Sequence, residues 1–171
     1  AVHVFERNNG TWTQSAYLKA PKTAIEDHFG KSVCIYNDII AVGAPRNESS
    51  IRGIADETTL LNSTMTGERT GAVYIYKKRN GKWYFDTFIK PENASHLDKF
   101  GWDLAIQGNT LVVSSPREDS TSALVNGSDL SNTNDEGANT GALYIYIREN
   151  GEWKMQAYLK TPSPSYEAYL G

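Results

Sequence analysis

Residues 72–76, Ala-Val-Tyr-Ile-Tyr, are apolar at every position rather than at alternate ones. Such a run predicts a strand with both faces buried between neighbouring sheets. Asn80-Gly81 follows, and both central residues of a type I′ turn need positive φ, so the pair predicts a tight hairpin. The returning strand is expected from Lys82 to Lys90. A third is expected from Phe100 through Gln107, and Gly108-Asn109 turns the chain into a fourth, Leu111 to Ser115. Pro116 ends it, because proline has no N–H to give a ladder.

This pattern repeats. One block occurs at Ala1–Pro21, Ala72–Pro91 and Ala142–Pro162, spaced by 71 and then 70 residues. Ala1–Pro21 and Ala142–Pro162 are identical at ten of twenty-one positions, including the Asn-Gly pair, Trp12/Trp153 and the run Ala-Tyr-Leu-Lys. A second block keeps the same period. Asp27-His28-Phe29-Gly30 corresponds to Asp98-Lys99-Phe100-Gly101, and IIAVGAP, ending at Pro45, corresponds to TLVVSSP, ending at Pro116. The expected division is a partial repeat over 1–28, full repeats over 29–99 and 100–169, and the start of another at 170–171, all within one segment, 1–171. A four-stranded meander cannot bury two apolar faces by itself, and stacking such sheets around an axis solves that problem.

Phe29-Gly30 and Phe100-Gly101, each followed about thirteen residues later by Gly-Ala-Pro or Ser-Ser-Pro, resemble the FG-GAP repeat, which builds the β-propeller head of integrin α chains and many bacterial surface proteins. The resemblance spans the chain and lies nearest the longer-repeat extracellular branch. It implies an all-β fold of propeller blades, each a four-stranded antiparallel meander, with ten strands or about 2.5 blades present. A complete ring of seven blades needs roughly 500 residues at this period. The chain is therefore expected to be a segment of a larger propeller or one member of a multi-chain assembly.

Composition agrees with strands and long polar loops. Only 39% of the 171 residues are apolar, with 14 glycines, yet aromatic residues reach 11%, which argues against disorder. Seventeen basic residues against twenty acidic ones leave no excess positive charge for a phosphate backbone, so nucleic acid is not expected as a partner. No apolar run approaches the ~20 residues of a membrane helix. The single Cys34 excludes an internal disulfide framework, and its alignment with Ala105 in a strand suggests a small buried side chain.

Candidate chemistry concentrates in two long loops, 46–70 and 117–140, because long loops on rigid sheets are where such folds carry function. The second has a net charge of -4 and the first of -1. Asn132, Asn134 and Glu136, followed by Gly137, form a degenerate version of a calcium loop, which takes hard oxygens from alternate residues around a glycine-dependent bend. With Asp129 they are the candidate metal ligands. Calcium is also what the resemblance implies, although no Asp-x-Asp occurs in the chain. A Gly-closed turn stabilised by Asx-type hydrogen bonds accounts for the same residues, since the first loop has Asn62, Thr64, Thr66 and Gly67 there without a carboxylate. The recurring acids Asp27/Asp98 and Glu48/Asp119 read best as caps on turn N–H groups. Sequons make Asn47, Asn62, Asn93 and Asn126 the glycosylation candidates if the protein is secreted by a eukaryote; Asn9 lies in a tight turn.

The repeated Phe29, Gly30, Pro45, Trp83, Phe100, Gly101, Pro116 and Trp153 are expected to be structural, packing blades together. Trp102, opposite Lys31 in the repeat, is the tryptophan better suited to stacking on carbohydrate, although blade packing is the first expectation for it as well. His3, His28 and His96 do not recur, and no catalytic constellation assembles. The expectation is a non-enzymatic extracellular or cell-surface module that binds a protein or glycan through propeller loops, calcium-stabilised in the second loop, with further blades supplied by the same or neighbouring chains. The alternative is a structural segment of a filament or sheath assembled through blade edges.

Overall fold

In the computed structural model, residues 1–66, 68–121 and 136–171 are described. They form an all-β chain of antiparallel sheets. Strands β1 (Val2–Asn8) and β2 (Thr11–Leu18) pair alone. The second sheet has the order β3 (Ser32–Tyr36), β4 (Ile39–Ala44), β6 (Ala72–Arg79), β7 (Lys82–Lys90) and, on the outer edge, β5 (Gly53–Ala55). The third is a plain meander of β8 (Leu104–Gln107), β9 (Thr110–Ser115), β10 (Ala142–Glu149) and β11 (Glu152–Leu159). These are propeller blades: two outer strands of the first, then two with all four strands of the meander.

The hairpins form where the Asn-Gly pairs demand them. Asn9, Asn80 and Asn150 have φ of 49°, 50° and 52°, and the glycine after each is also positive. Each of these hairpins carries a bulge at one equivalent place, after Val4, Ile75 and Ile145, which the sequence pattern does not announce.

Two elements differ from the expectation. The third strand of the blade starts at Leu104, not Phe100. Gly101, at φ 84°, turns the chain so that its N–H and that of Trp102 both reach the Ser114 carbonyl, while Phe100 forms a parallel bridge to Gly71. The first long loop is also not irregular throughout. It adds β5, with Ile54 opposite Ile89, and a short helix α1 (Glu57–Asn62) capped by Asp56, whose side chain accepts the Thr59 N–H at 2.8 Å. Fully buried Leu60 anchors that helix.

Each full blade has two different faces, because successive side chains alternate. Val2, Val4 and Leu18 of the first sheet pack on Tyr74, Tyr76 and Phe88 of the second. On the other side of the second sheet, Val73, Ile75 and Ile89 pack on Tyr144, Tyr146 and Tyr158 of the third. An aliphatic face thus meets an aromatic one at both junctions. The same positions on the outer sides, Phe5 and Tyr17 at one end and Leu143, Ile145 and Leu159 at the other, are half-buried to half-exposed.

Candidate functional site

The turn that enters each blade is built around a buried aspartate. Asp98 Oδ2 accepts the Ser95 N–H at 2.7 Å, and the Asp98 carbonyl accepts the Arg117 N–H at 3.2 Å and the Ser115 hydroxyl at 2.9 Å. Asp27 does the same with the Ala24 N–H at 2.8 Å and the Arg46 N–H at 3.2 Å. The residue after each aspartate is left-handed, with φ of 57° at His28, 61° at Lys99 and 49° at the equivalent Tyr169. Few residues without glycine's freedom sit there, and such positions gather where a side chain must be aimed.

At the junction of the second and third blades this architecture gathers cations around one indole. Lys31 Nζ lies 4.6 Å from the centroid of the Trp102 ring and Lys99 Nζ 4.8 Å. Lys99, Trp102, Pro116, Arg117, Tyr169 and Gly171 line a cavity of about 360 Å³, within the range of small-ligand sites. Trp102 and Tyr169 keep 36% and 42% of their surfaces exposed. Among the described residues, no carboxylate forms an ion pair with Lys31, Lys99 or Arg117. Burial, then the repulsion of Arg117 and Arg46, lowers the Lys99 pKa from its ordinary value. The arrangement can hold a ligand carrying negative charge and an apolar ring or edge.

A second recurring cluster lies inside the blades. Lys90 and Lys160 occupy the same repeat position and both are buried. Lys90 Nζ donates to the Ser49 carbonyl at 2.6 Å and to Thr70 Oγ1 at 2.8 Å. Lys160 Nζ donates to Thr140 Oγ1 and to Glu118 Oε2, each at 2.5 Å. Glu118 stands where the other blade has Asn47, which instead donates to the Tyr74 hydroxyl at 3.0 Å. Burial pushes Lys90 down to about 7, with a smaller contribution from Arg52 against the opposing Asp27 and Glu68. Burial also raises Glu118, outweighing the Lys160 contact. These groups hold loops to blades and have no exposed face, so they are not a binding surface.

The sequon asparagines separate sharply. Asn47 is fully buried with its amide bonded, so the folded chain has no room for a glycan on it. Asn93 is half-buried and uses both ends of its amide, donating to Glu118 Oε1 at 3.4 Å and accepting from the Tyr144 hydroxyl at 3.0 Å. Asn62, the last residue of α1, is exposed. Asn126 lies outside the described residues, as do Asp129, Asn132 and Asn134 of the calcium set and Gly67 of the first loop. Only Glu136 of that set is described, and the described residues hold no group of three or more His, Cys, Asp or Glu suited to a metal. Asp119, near the start of the second loop, holds residues near its end: its Oδ1 accepts the Asn139 N–H at 2.5 Å and its carbonyl accepts that of Gly137 at 2.6 Å.

Trp153 is buried and Trp83 half-buried at the two blade junctions, whereas Trp12 on the first sheet is 64% exposed. Cys34 packs against the junction core, and burial holds its thiol at about 11, protonated and inert at neutral pH. His3, His28 and His96 are all exposed.

Comparison with known families bears on the repeat itself. Residues 12–76 and 83–146 each match the FG-GAP repeat. The chain belongs to the FG-GAP repeat family. A search of curated proteins finds no match to it. The residues that name the FG-GAP repeat sit at the blade junctions. Phe100 packs edge-on against Tyr144 at 5.2 Å and Tyr146 at 6.2 Å, and Phe29 against Tyr74 at 5.3 Å and Tyr76 at 6.3 Å. A Cβ on Gly43, the glycine of Gly-Ala-Pro, would stand 2.1 Å from the Gly101 carbonyl oxygen. The two motifs of this FG-GAP chain thus meet across a junction, the Gly of one blade against the Gly of the next. Pro45 and Pro116 close β4 and β9 just beyond that contact.

Sequence reasoning singled out Trp102 but not the cations around it. Lys31 and Trp102 are repeat equivalents, as are His28, Lys99 and Tyr169, yet the site draws Lys31 from one blade, Lys99, Trp102 and Arg117 from the next, and Tyr169 from the turn after it. A recurring basic character at positions 28/99 and 46/117 was the available signal.

Proposed function

We propose that this FG-GAP chain is an extracellular or cell-surface recognition module, non-enzymatic, that binds a protein or glycan partner through the loop face carrying Trp102. The observation behind the reading is the 360 Å³ cavity in which half-exposed aromatic rings stand beside cations that have no ion-pair partner among the described residues. Polar groups placed around an apolar concavity are the usual form of a binding site. No helix of the described residues is long and apolar enough to cross a membrane.

The test is a panel of immobilised glycans and purified matrix proteins, probed with the chain and with Trp102→Ala, Tyr169→Ala and Tyr84→Ala. Tyr84 is 48% exposed on β7, away from the cavity lining, and serves as the control. At least one ligand is expected to lose tenfold or more of its affinity with the first two variants and to be unchanged with Tyr84→Ala. Binding that ignores Trp102 and Tyr169, or no binding to any member, rejects the reading.

A second reading is supported by a separate observation, the complementary outer faces. Aromatic positions are half-exposed at one end of the described chain and aliphatic ones half-buried at the other, and the chain buries such faces against each other at both of its junctions. Copies stacking end to end would make a filament or sheath through the same packing.

A further inference from the structure

We infer that the ligand of the Trp102 cavity is an acidic glycan, a sugar chain bearing sulfate esters or carboxylates, gripped by Lys31, Lys99 and Arg117. The inference rests on the proposed binding role of this face and specifies its ligand class.

The chain as a whole is negative, at -3, so a cluster of cations here is a local arrangement and not a bulk property. Several arginines and lysines elsewhere on the described surface find carboxylates: Arg52 pairs with Glu68 at 3.1 Å, Lys78 with Glu6 at 2.6 Å and Arg79 with Asp86 at 2.6 Å. Among the described residues Lys31, Lys99 and Arg117 have no such pair, and Lys99 and Arg117 share one cavity wall. Lys99 and Arg117 line the same cavity, and, after burial, the charge of Arg117, then that of Arg46, which is itself paired with Glu26 at 3.4 Å, disfavours the Lys99 ammonium. An anion placed among these side chains relieves that repulsion, and Arg117 brings a planar fork of donors that matches sulfate and carboxylate oxygens.

The rest of the lining decides between classes of anion. Two ammonium groups already lie over the indole at 4.6 and 4.8 Å, so Trp102 works chiefly as the support that spaces them. Tyr169 and buried Pro116 supply the apolar wall. A pyranose ring has an apolar C–H face for such a wall and anionic substituents on its rim for the cations. A nucleic acid needs a longer basic track and open rings for successive bases, and the charge balance of this chain provides no such track.

The experiment measures binding of dextran sulfate, polygalacturonate, neutral dextran and a single-stranded oligonucleotide to the whole chain by titration calorimetry at two salt concentrations. Dextran sulfate or polygalacturonate is expected to bind, with affinity falling as salt rises; which of them binds distinguishes sulfate from carboxylate recognition. Lys31→Gln, Lys99→Gln and Arg117→Gln should each weaken it about tenfold with unchanged melting temperature. Lys31 is exposed, so its variant leaves the fold intact, and Lys154→Gln, a cation remote from the cavity lining, should bind as the parent does. Equal losses in Lys154→Gln and the three site variants, an oligonucleotide bound as tightly as the glycans, or no binding of either acidic polymer overturns the inference. Binding of neutral dextran that Trp102→Ala abolishes and Lys31→Gln does not would overturn the acidic class while leaving the recognition role standing.

Discussion

At the scale of single residues, the repeat uses one scaffold for different chemistry. The lysine at positions 90 and 160 is buried in both full blades, yet one has a carboxylate beside it and the other has Asn47 in that place. Lys90 therefore pays for its burial in proton affinity, falling to about 7 from an unfolded value near 10.4. Between those two values the unfolded chain binds one more proton than the folded chain, so this group makes stability rise with pH there, by at most ~1.4 kcal/mol per pH unit. Below about 7 the penalty is complete, and above the unfolded value it vanishes. Urea unfolding at pH 7, 8 and 9 should show the native chain gaining stability relative to Lys90→Met at each step. Parallel curves would mean that Lys90 stays protonated in the folded blade.

At the scale of elements, the blades are joined by more than side chains. Phe100 is fully buried, stacks edge-on against two tyrosines, and its N–H donates to the Thr70 carbonyl at 3.0 Å as part of the parallel bridge to Gly71. Thr70 is in turn held by Lys90, so the buried lysine, the inter-blade bridge and the aromatic wedge form one joint. Removing the ring leaves a cavity at its centre. Phe100→Ala should cost about 3–5 kcal/mol, and Phe29→Ala clearly less, because Phe29 is only half-buried. Denaturant midpoints of the two variants decide it; equal losses would show that the wedge is not what holds the junction. The same joint explains why the strand begins at Leu104: the preceding residues are committed to the neighbouring blade.

At the scale of the whole molecule, the alternation of faces sets how the chain meets others. Phe5 is 52% exposed and Tyr17 50%, at positions where the inner blades bury Tyr76 and Phe88. Apolar faces of this kind are association sites. Sedimentation velocity over a range of concentrations should show the chain self-associating, and Phe5→Asp and Ile145→Asp should each reduce it, since they lie on opposite members of the expected contact. A chain that stays monomeric throughout the range would remove the support for end-to-end stacking. The variants also separate stacking from ligand binding, because neither residue lines the Trp102 cavity.

The repeat period, the Asn-Gly hairpins, the double-sided apolar strands and the family motif were all legible in the sequence. Each is encoded by neighbours in the chain: positive φ at a turn needs Asn or Gly, and a buried strand needs consecutive apolar residues. Strand β5, helix α1 and the burial of Asn47 were not legible. The loop that contains them is polar in composition, and its order comes from contacts with β7 and Tyr74 that are distant in sequence. The cation cluster was hidden for the same reason. Lys31, Lys99 and Arg117 are separated by up to 86 positions and look like ordinary surface charges one at a time. The fold of one blade sets Lys99 and Arg117 beside Trp102, and only the packing of the preceding blade adds Lys31, because charge and ring contacts act through space between residues distant along the chain.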